Sequence, residues 1–269
     1  MKKMLYLVGM GICDEKDVSL RAVETLKKCD IVFAEGYTNL MKDGTLERLE
    51  KIIGKKIILL GREEVEGEKK IFNQFENSDS VALLVPGDPM TATTHNSLLQ
   101  SAKEKGIETK IIHSSSIFTA GAGACGLQIY KFGKTATITY WRKNYEPASF
   151  MDIISENMER GAHTLCLLDI DMELGAMKPS TALEIMKKAQ EKMGKKKGGR
   201  ENLGKEIISG DTKIFVLWHV GWEDEKVWAG KIRDYKFSGK NEKEGPAVII
   251  IPGKMHFVEE EGWKSFCNE

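Results

Sequence analysis

The segment Pro86-Gly87-Asp88-Pro89, followed by Thr91, Thr93, Thr94 and His95, concentrates groups capable of chemistry. Two prolines fix φ on either side of a glycine and an acid, so Asp88 and the neighbouring amides are held in place before a ligand arrives. That lowers the ordering cost of binding. A plain turn with Asp88 as a helix cap would use the same residues, and both readings stand at this level. Gly9-Met10-Gly11 follows an apolar run and is a second place where a nucleotide could approach the backbone. The dinucleotide fingerprint asks for a third glycine where the chain has Asp14. Glu35 imitates a ribose-binding acid, but without that glycine a helix cap or a paired carboxylate accounts for it at least as well.

Other chemistries find less support. His95, His113, His163, His219 and His256 are scattered, without the i, i+4 spacing or cysteine company of a zinc site, so no metal is expected. No G-x-S-x-G elbow occurs, which argues against a hydrolase nucleophile. Five widely spaced cysteines, with no Cys-x-x-Cys pair, suit a reducing, cytoplasmic setting. The 40 basic and 40 acidic residues cancel, so no global field recruits nucleic acid or an anionic membrane. Every apolar run falls far below the ~20 residues of a membrane-spanning helix. The run at 4–8 is broken by Gly9, Gly11 and Asp14, and no export signal is expected.

The elements that must position these residues follow from periodicity. Short apolar runs at 5–8, 31–34, 57–60, 81–85 and 109–112 predict strands, with helices over 17–29 and 95–105, the latter stopped by Gly106. Buried strands alternating with helices imply a parallel sheet covered on both faces, an α/β arrangement whose ligands bind beyond the carboxyl ends of the strands. Residues 9–14, 35–38, 86–94 and 113–117 are therefore the informative ones. The second half predicts strands at 135–140, 163–169, 213–218 and 247–251, and helices over 149–160 and 180–193. Small residues at 114–123 read as a linker or a close approach to a ligand. This places an N-terminal α/β domain with a mostly parallel sheet at 1–113 and a C-terminal α/β domain at 114–269. Residues 187–205, with eight Lys or Arg among glycines, predict a mobile surface loop.

Several motifs together resemble one family. They are Leu5-Tyr6-Leu7-Val8-Gly9-Met10-Gly11, Val85-Pro86-Gly87-Asp88-Pro89, Ala92-Thr93-Thr94-His95, Gly126-Leu127-Gln128-Ile129-Tyr130-Lys131-Phe132-Gly133, His163-Thr164-Leu165-Cys166-Leu167-Leu168-Asp169-Ile170 and Pro252-Gly253-Lys254-Met255-His256. The chain is similar over nearly its whole length to the diphthine synthases of the tetrapyrrole methylase superfamily. The resemblance implies two α/β domains of the tetrapyrrole methylase type, a cleft between them for S-adenosyl-L-methionine, and a homodimer. It also implies a methyltransferase acting on the 3-amino-3-carboxypropyl histidine of translation elongation factor 2, in diphthamide biosynthesis. In this family the cofactor is held largely through backbone atoms, which carries binding over to Ile12, Asp88, Thr91, Ser116, Ile117, Leu168, Val220 and Ala247. No catalytic residue is implied. Trp218-His219-Val220-Gly221 departs from the family's Ala-Arg-(Ala or Val)-Gly, Lys178-Pro179 replaces a Thr or Ser, and the loop over 170–177 is short. Trp141 and the segments at 125–128 and 163–170 look like the eukaryotic branch, whose members add a fourth methyl to give diphthine methyl ester. Archaeal members stop at three, and four are expected here. The alternatives are another tetrapyrrole-type methylase with a small-molecule acceptor, a nicotinamide-binding oxidoreductase, or a non-catalytic binding protein on the same fold.

Overall fold

The alternation of buried residues along the first strands sets the layering of the amino-terminal half. A computed structural model describes residues 2–37, 39–171, 173–196 and 206–267. Its contacts divide the chain into two units, Met1–Ile117 and Phe118–Glu269. The first unit holds β1 (Met4–Gly9), β2 (Ile31–Glu35), β3 (Ile57–Leu60), β4 (Ser80–Val85) and β5 (Glu108–Ile112), all parallel in the order β3-β2-β4-β1-β5. Leu5, Leu7, Phe33, Leu83 and Val85 point to one face, and Val8, Val32, Ala34, Ala82 and Leu84 to the other, the period of two that a strand imposes.

Helices cover both faces. On one side α1 (Leu20–Lys28) and α2 (Thr45–Ile53) bury Ala22, Leu26, Leu49 and Ile53; on the other α3 (Arg62–Glu66), α4 (Lys69–Phe72) and α5 (Asn96–Glu104) bury Val65, Ile71, Leu98 and Ala102. The helix expected from residue 17 begins later. Residues Glu15–Asp17 form a 3-10 turn, and the Ser19 hydroxyl accepts from the Ala22 amide to cap α1.

Helix α6 (Ile117–Ala124) starts at the last residue of the first unit and runs on in the second, within the segment expected to be a linker or a close approach to a ligand; its small side chains, with Gly121 and Ala122 buried, form a helix. Then follow β6 (Ala136–Ile138), α7 (Ser149–Glu159), β7 (Thr164–Leu168), a two-stranded ribbon of β8 (Ile170–Asp171) and β9 (Gly175–Ala176), and α8 (Pro179–Lys196). After these come β10 (Lys213–Trp218), β11 (Lys226–Lys231), β12 (Ala247–Ile251) and α9 (Phe257–Phe266). The sheet order is β11-β10-β12-β7-β6, antiparallel except for β6 with β7. The short loop noted at 170–177 is the β8–β9 ribbon. The expected loop over 187–205 is helical as far as Lys196, because Ala182, Met186 and Ala189 anchor α8 in the core; residues 197–205 lie outside the described ones.

Candidate functional site

At the carboxyl ends of β1, β4 and β5 the first unit gathers its chemistry-bearing residues. Gly11 and Gly87 exchange backbone hydrogen bonds (the Gly11 amide to Gly87 O at 3.3 Å, the Gly87 amide to Gly11 O at 2.7 Å), so the loops after β1 and β4 are pinned together. Both glycines have left-handed φ, +81° and +77°, values that cost glycine nothing. Asp17 completes the first loop, its Oδ2 accepting from the amides of Ile12 at 3.0 Å and Cys13 at 2.8 Å. Gly9 has to be glycine for space: a Cβ there would stand 2.7 Å from Gly87 O and from Ser114 Cβ.

Asp88 is the hub. Its Oδ1 accepts from the Met90 amide (3.0 Å) and the Thr91 hydroxyl (3.2 Å), and its Oδ2 from His113 Nδ1 (2.8 Å) and the Ser114 amide (3.2 Å). Burial alone would raise its pKa. The Met90 amide, His113 and the Ser114 amide outweigh that and hold the carboxyl below its ordinary value. A carboxylate offers about four lone-pair sites, and here the protein occupies all of them. Asp88 therefore acts first as the organiser of its loop, joining an Asx-type turn to the segment after β5. This arrangement brings Ile12, Asp88 and Thr91 together with His113 and Ser114; Ser116 follows them, and Ile117 opens α6.

Glu35, at the end of β2, is 2% exposed and bonds His95 Nε2 at 2.9 Å, while His95 Nδ1 donates to the Pro89 carbonyl at 2.8 Å. Of the accounts open from the sequence, the paired carboxylate is the one observed. A buried, paired Glu35 is not presented to a ribose, which removes the main support for a nicotinamide-binding oxidoreductase.

In the second unit Leu168, Val220 and Ala247 meet at one end of the sheet. Ala247 opens β12 opposite Trp218, the last residue of β10, while Leu167 pairs with Val248, so Leu168 ends β7 at the same edge. Val220 follows β10 by two residues and is buried. The Trp218-His219 departure has a local explanation. Trp218 is 1% exposed and turned into the core, stacked on Tyr235 and edge-on to Phe237. His219 adopts a left-handed φ of +50°, bonds Asp224 at 3.0 Å and stacks on Trp222 with ring centroids 4.3 Å apart.

The motifs at 126–133, 163–170 and 252–256 converge on a residue that sequence reasoning missed. Glu259, buried in the first turn of α9, accepts from the Gln128 amide (3.0 Å), His163 Nε2 (3.1 Å), the His256 amide (2.7 Å) and the Lys131 ammonium. His163 Nδ1 accepts from the Gly253 amide at 2.9 Å, which fixes the neutral tautomer with its proton on Nε2. Burial pushes Glu259's pKa up, but Lys131, the two amides and His163 prevail and bring it to about 2. His163 is held below its ordinary value, chiefly by burial. These motif residues tie the second unit together.

Among the described residues no cluster of three or more His, Cys, Asp or Glu could hold a metal ion, and no helix is long and apolar enough to cross a membrane. The sequence profile described as Tetrapyrrole (Corrin/Porphyrin) Methylases matches residues 4–236. The chain is similar to the diphthine synthase of Methanocaldococcus jannaschii, 42% identical over 269 residues and covering 98% of this chain and 99% of that protein. That of Methanococcus aeolicus is 40% identical over 270 residues, covering 98% of each. Of solved structures, one of a diphthine synthase superposes with a TM-score of 0.82 at 29% identity, covering 99% of this chain and 96% of that one. One from Entamoeba histolytica, provisionally described as a diphthine synthase, gives 0.83 at 31%, covering 99% of both. The chain belongs to the diphthine synthases, within the tetrapyrrole methylase family.

Proposed function

We propose that this methyltransferase of diphthamide biosynthesis transfers methyl groups from S-adenosyl-L-methionine to the 3-amino-3-carboxypropyl histidine of translation elongation factor 2, in the cytoplasm and as a homodimer. The observation that carries this reading is identity of about 40% to diphthine synthases over nearly the full length of both chains. The first unit suits the cofactor. Gly87 stands with nothing within 4 Å of the place a Cβ would take, so space is open next to the Asp88 carboxylate. Ile12, Asp88, Thr91, Ser116 and Ile117 are the residues we assign to holding it there. Leu168, Val220 and Ala247 are assigned by the resemblance and by their convergence at one sheet end.

The bound cofactor supplies an activated methyl on a sulfonium. The protein's own task is alignment of that group with the acceptor amine, an effect worth roughly 7–11 kcal/mol when geometry is good. The rigid loops after β1 and β4, cross-bonded through Gly11 and Gly87, serve that task. No side chain is assigned as general base.

The product we propose is the trimethylated amine. The curated relatives at 42% and 40% identity are archaeal, which weighs against the fourth methyl expected from the eukaryotic-type motifs. The family profile alone would equally suit a small-molecule acceptor. The test is incubation with labelled S-adenosyl-L-methionine and elongation factor 2 carrying the unmethylated group, followed by mass analysis of the modified peptide. Three added methyls are expected. Four would restore the ester, and cofactor binding without transfer to this acceptor would favour a different one.

A further inference from the structure

His95 sits between two acceptors. Its Nδ1 lies 2.8 Å from the Pro89 carbonyl, and its Nε2 lies 2.9 Å from a Glu35 carboxylate oxygen. A carbonyl only accepts, so Nδ1 carries a proton. For Nε2 and Glu35 to bond as well, one further proton has to lie between them, on the ring as an imidazolium or on the carboxyl as an acid. A neutral ring facing a carboxylate would set two lone pairs against each other. The pair is thus built around a proton, in a place where His95 and Glu35 are each 2% exposed and water cannot substitute for a lost bond.

The Pro89 carbonyl ties this pair to the loop that carries Asp88 and Thr91. It also accepts from the Thr93 hydroxyl at 2.9 Å, and the Pro89 ring stands 3.0 Å from where a Cβ on Gly9 would be. Ala92, in the same loop, is held at a left-handed φ of +56°, a conformation that persists only where the surroundings enforce it. We propose that Glu35 and His95 are positioning residues, a proton-dependent clamp that fixes the loop over 86–92 in its cofactor-binding conformation. The clamp itself stands on the geometry of the first unit; its effect on the cofactor rests on the function proposed above.

Charged and titratable groups among the described residues surround the pair. The Tyr37 hydroxyl, just beyond β2, also bonds Glu35, and Arg62 and Glu66 of α3 act on Tyr37 in turn. Asp88 is committed to His113, and Lys103 and Glu104 lie at the far end of α5 from His95. Burial works against a charged His95, but the hydrogen bond and charge of Glu35, with the Pro89 carbonyl, overcome it and raise its pKa above the ordinary 6.5. The proton is accordingly held to a higher pH than an ordinary histidine holds it and is lost as pH rises through that raised value. Loss leaves His95 able to keep Pro89 or Glu35 but not both.

The test uses the full chain without ligand, followed by NMR of the His95 ring nitrogens, the Glu35 carboxyl carbon and the amides of Met90 and Ser114, with S-adenosyl-L-methionine affinity measured over the same pH range. One proton in excess of a neutral ring and a carboxylate is expected in most molecules at pH 6.5, the ordinary histidine midpoint. The two amides, both bonded to Asp88, should shift with the midpoint at which it leaves. Affinity should then fall about tenfold per pH unit above that midpoint, as binding linked to one proton requires. In Glu35→Gln the neutral ring accepts from the glutamine amide while Nδ1 stays on Pro89, so the loop amides and the affinity lose their alkaline dependence. Met90 and Ser114 amides that ignore the His95 titration, or a Glu35→Gln variant that keeps the wild-type dependence, would overturn the clamp. Should Glu35→Gln fail to fold, the wild-type titration decides alone. Amides that follow the ring in a protein that binds no S-adenosyl-L-methionine at any pH would support the clamp and sink the proposed function.

Discussion

Replacing Glu259 by Gln tests whether the second unit hangs on one carboxylate. Four donors converge on it: the amides of Gln128 and His256, His163 Nε2 and the Lys131 ammonium. Glutamine keeps one acceptor oxygen and turns the other into an N–H₂ group that faces two donors. At about 1–3 kcal/mol for each buried donor left opposed, the loss is roughly 3–5 kcal/mol, in the range of a broken buried pair. A second route agrees. The gap between the ordinary 4.5 and the folded value of about 2, at about 1.36 kcal/mol per pH unit, is on the order of 3 kcal/mol. Because the folded pKa is depressed, this stability is complete above pH 4.5 and is lost as pH falls towards 2. Urea unfolding of both proteins at neutral and acid pH measures it. The variant should be about 3 kcal/mol weaker at pH 7, the gap narrowing in acid, and the same substitution should cost less once Lys131→Met has removed the ammonium. A variant within about 1 kcal/mol of wild type at pH 7, or a gap that does not narrow, would refute the reasoning.

Three further outcomes are expected. In Asp88→Asn the amide faces donors that now bond a carboxylate, so the loop loses a charge-assisted bond of its own and S-adenosyl-L-methionine affinity by calorimetry should drop roughly 10- to 100-fold as the loop loosens; a change under about twofold would take Asp88 out of the site. Gly9→Ala drives a methyl to 2.7 Å from Gly87 O and Ser114 Cβ, so the strand-end loops should part, with affinity lost and stability lowered by about 1–3 kcal/mol. Gly133→Ala would overlap Asn157, whose side chain is fixed by Lys134 and by the Thr164 hydroxyl at 2.9 Å. A drop of about 1–3 kcal/mol in urea, with cofactor affinity unchanged, is the expected reading.

Continuous apolar runs made the strands legible: β3, β10 and β12 span the residues expected from the sequence, and the parallel order of the first unit follows from strands alternating with helices. The loop at Asp88 was legible too, because two prolines around a glycine and an acid mark a rigid turn. β11 was not. Its Lys226-Val227-Trp228-Ala229-Gly230-Lys231 is short, lysine-flanked and carries a glycine, so alternation does not show. Glu259 stands in a run of three glutamates that reads as a solvated helix face, and its partner Gln128 lies 131 residues away. Asp17 looked like a helix residue because its task, holding the amides of Ile12 and Cys13, depends on the turn after β1. Trp218 stands out in the sequence only as a departure from the family's pattern, since period alone does not say which face of β10 meets the core.

The sheet order of the second unit bears on how the chain comes to be assembled. β12 is the last strand in sequence and the middle one in space: β10 with β11 lies on one side of it, and β7 with β6 on the other. Until it emerges from the ribosome, those two pairs have no hydrogen-bonded neighbour in common, whereas all five strands of the first unit are by then available. Vectorial synthesis therefore lets the first unit fold early and leaves the second waiting, its apolar strands open to wrong pairings, for a keystone delivered late.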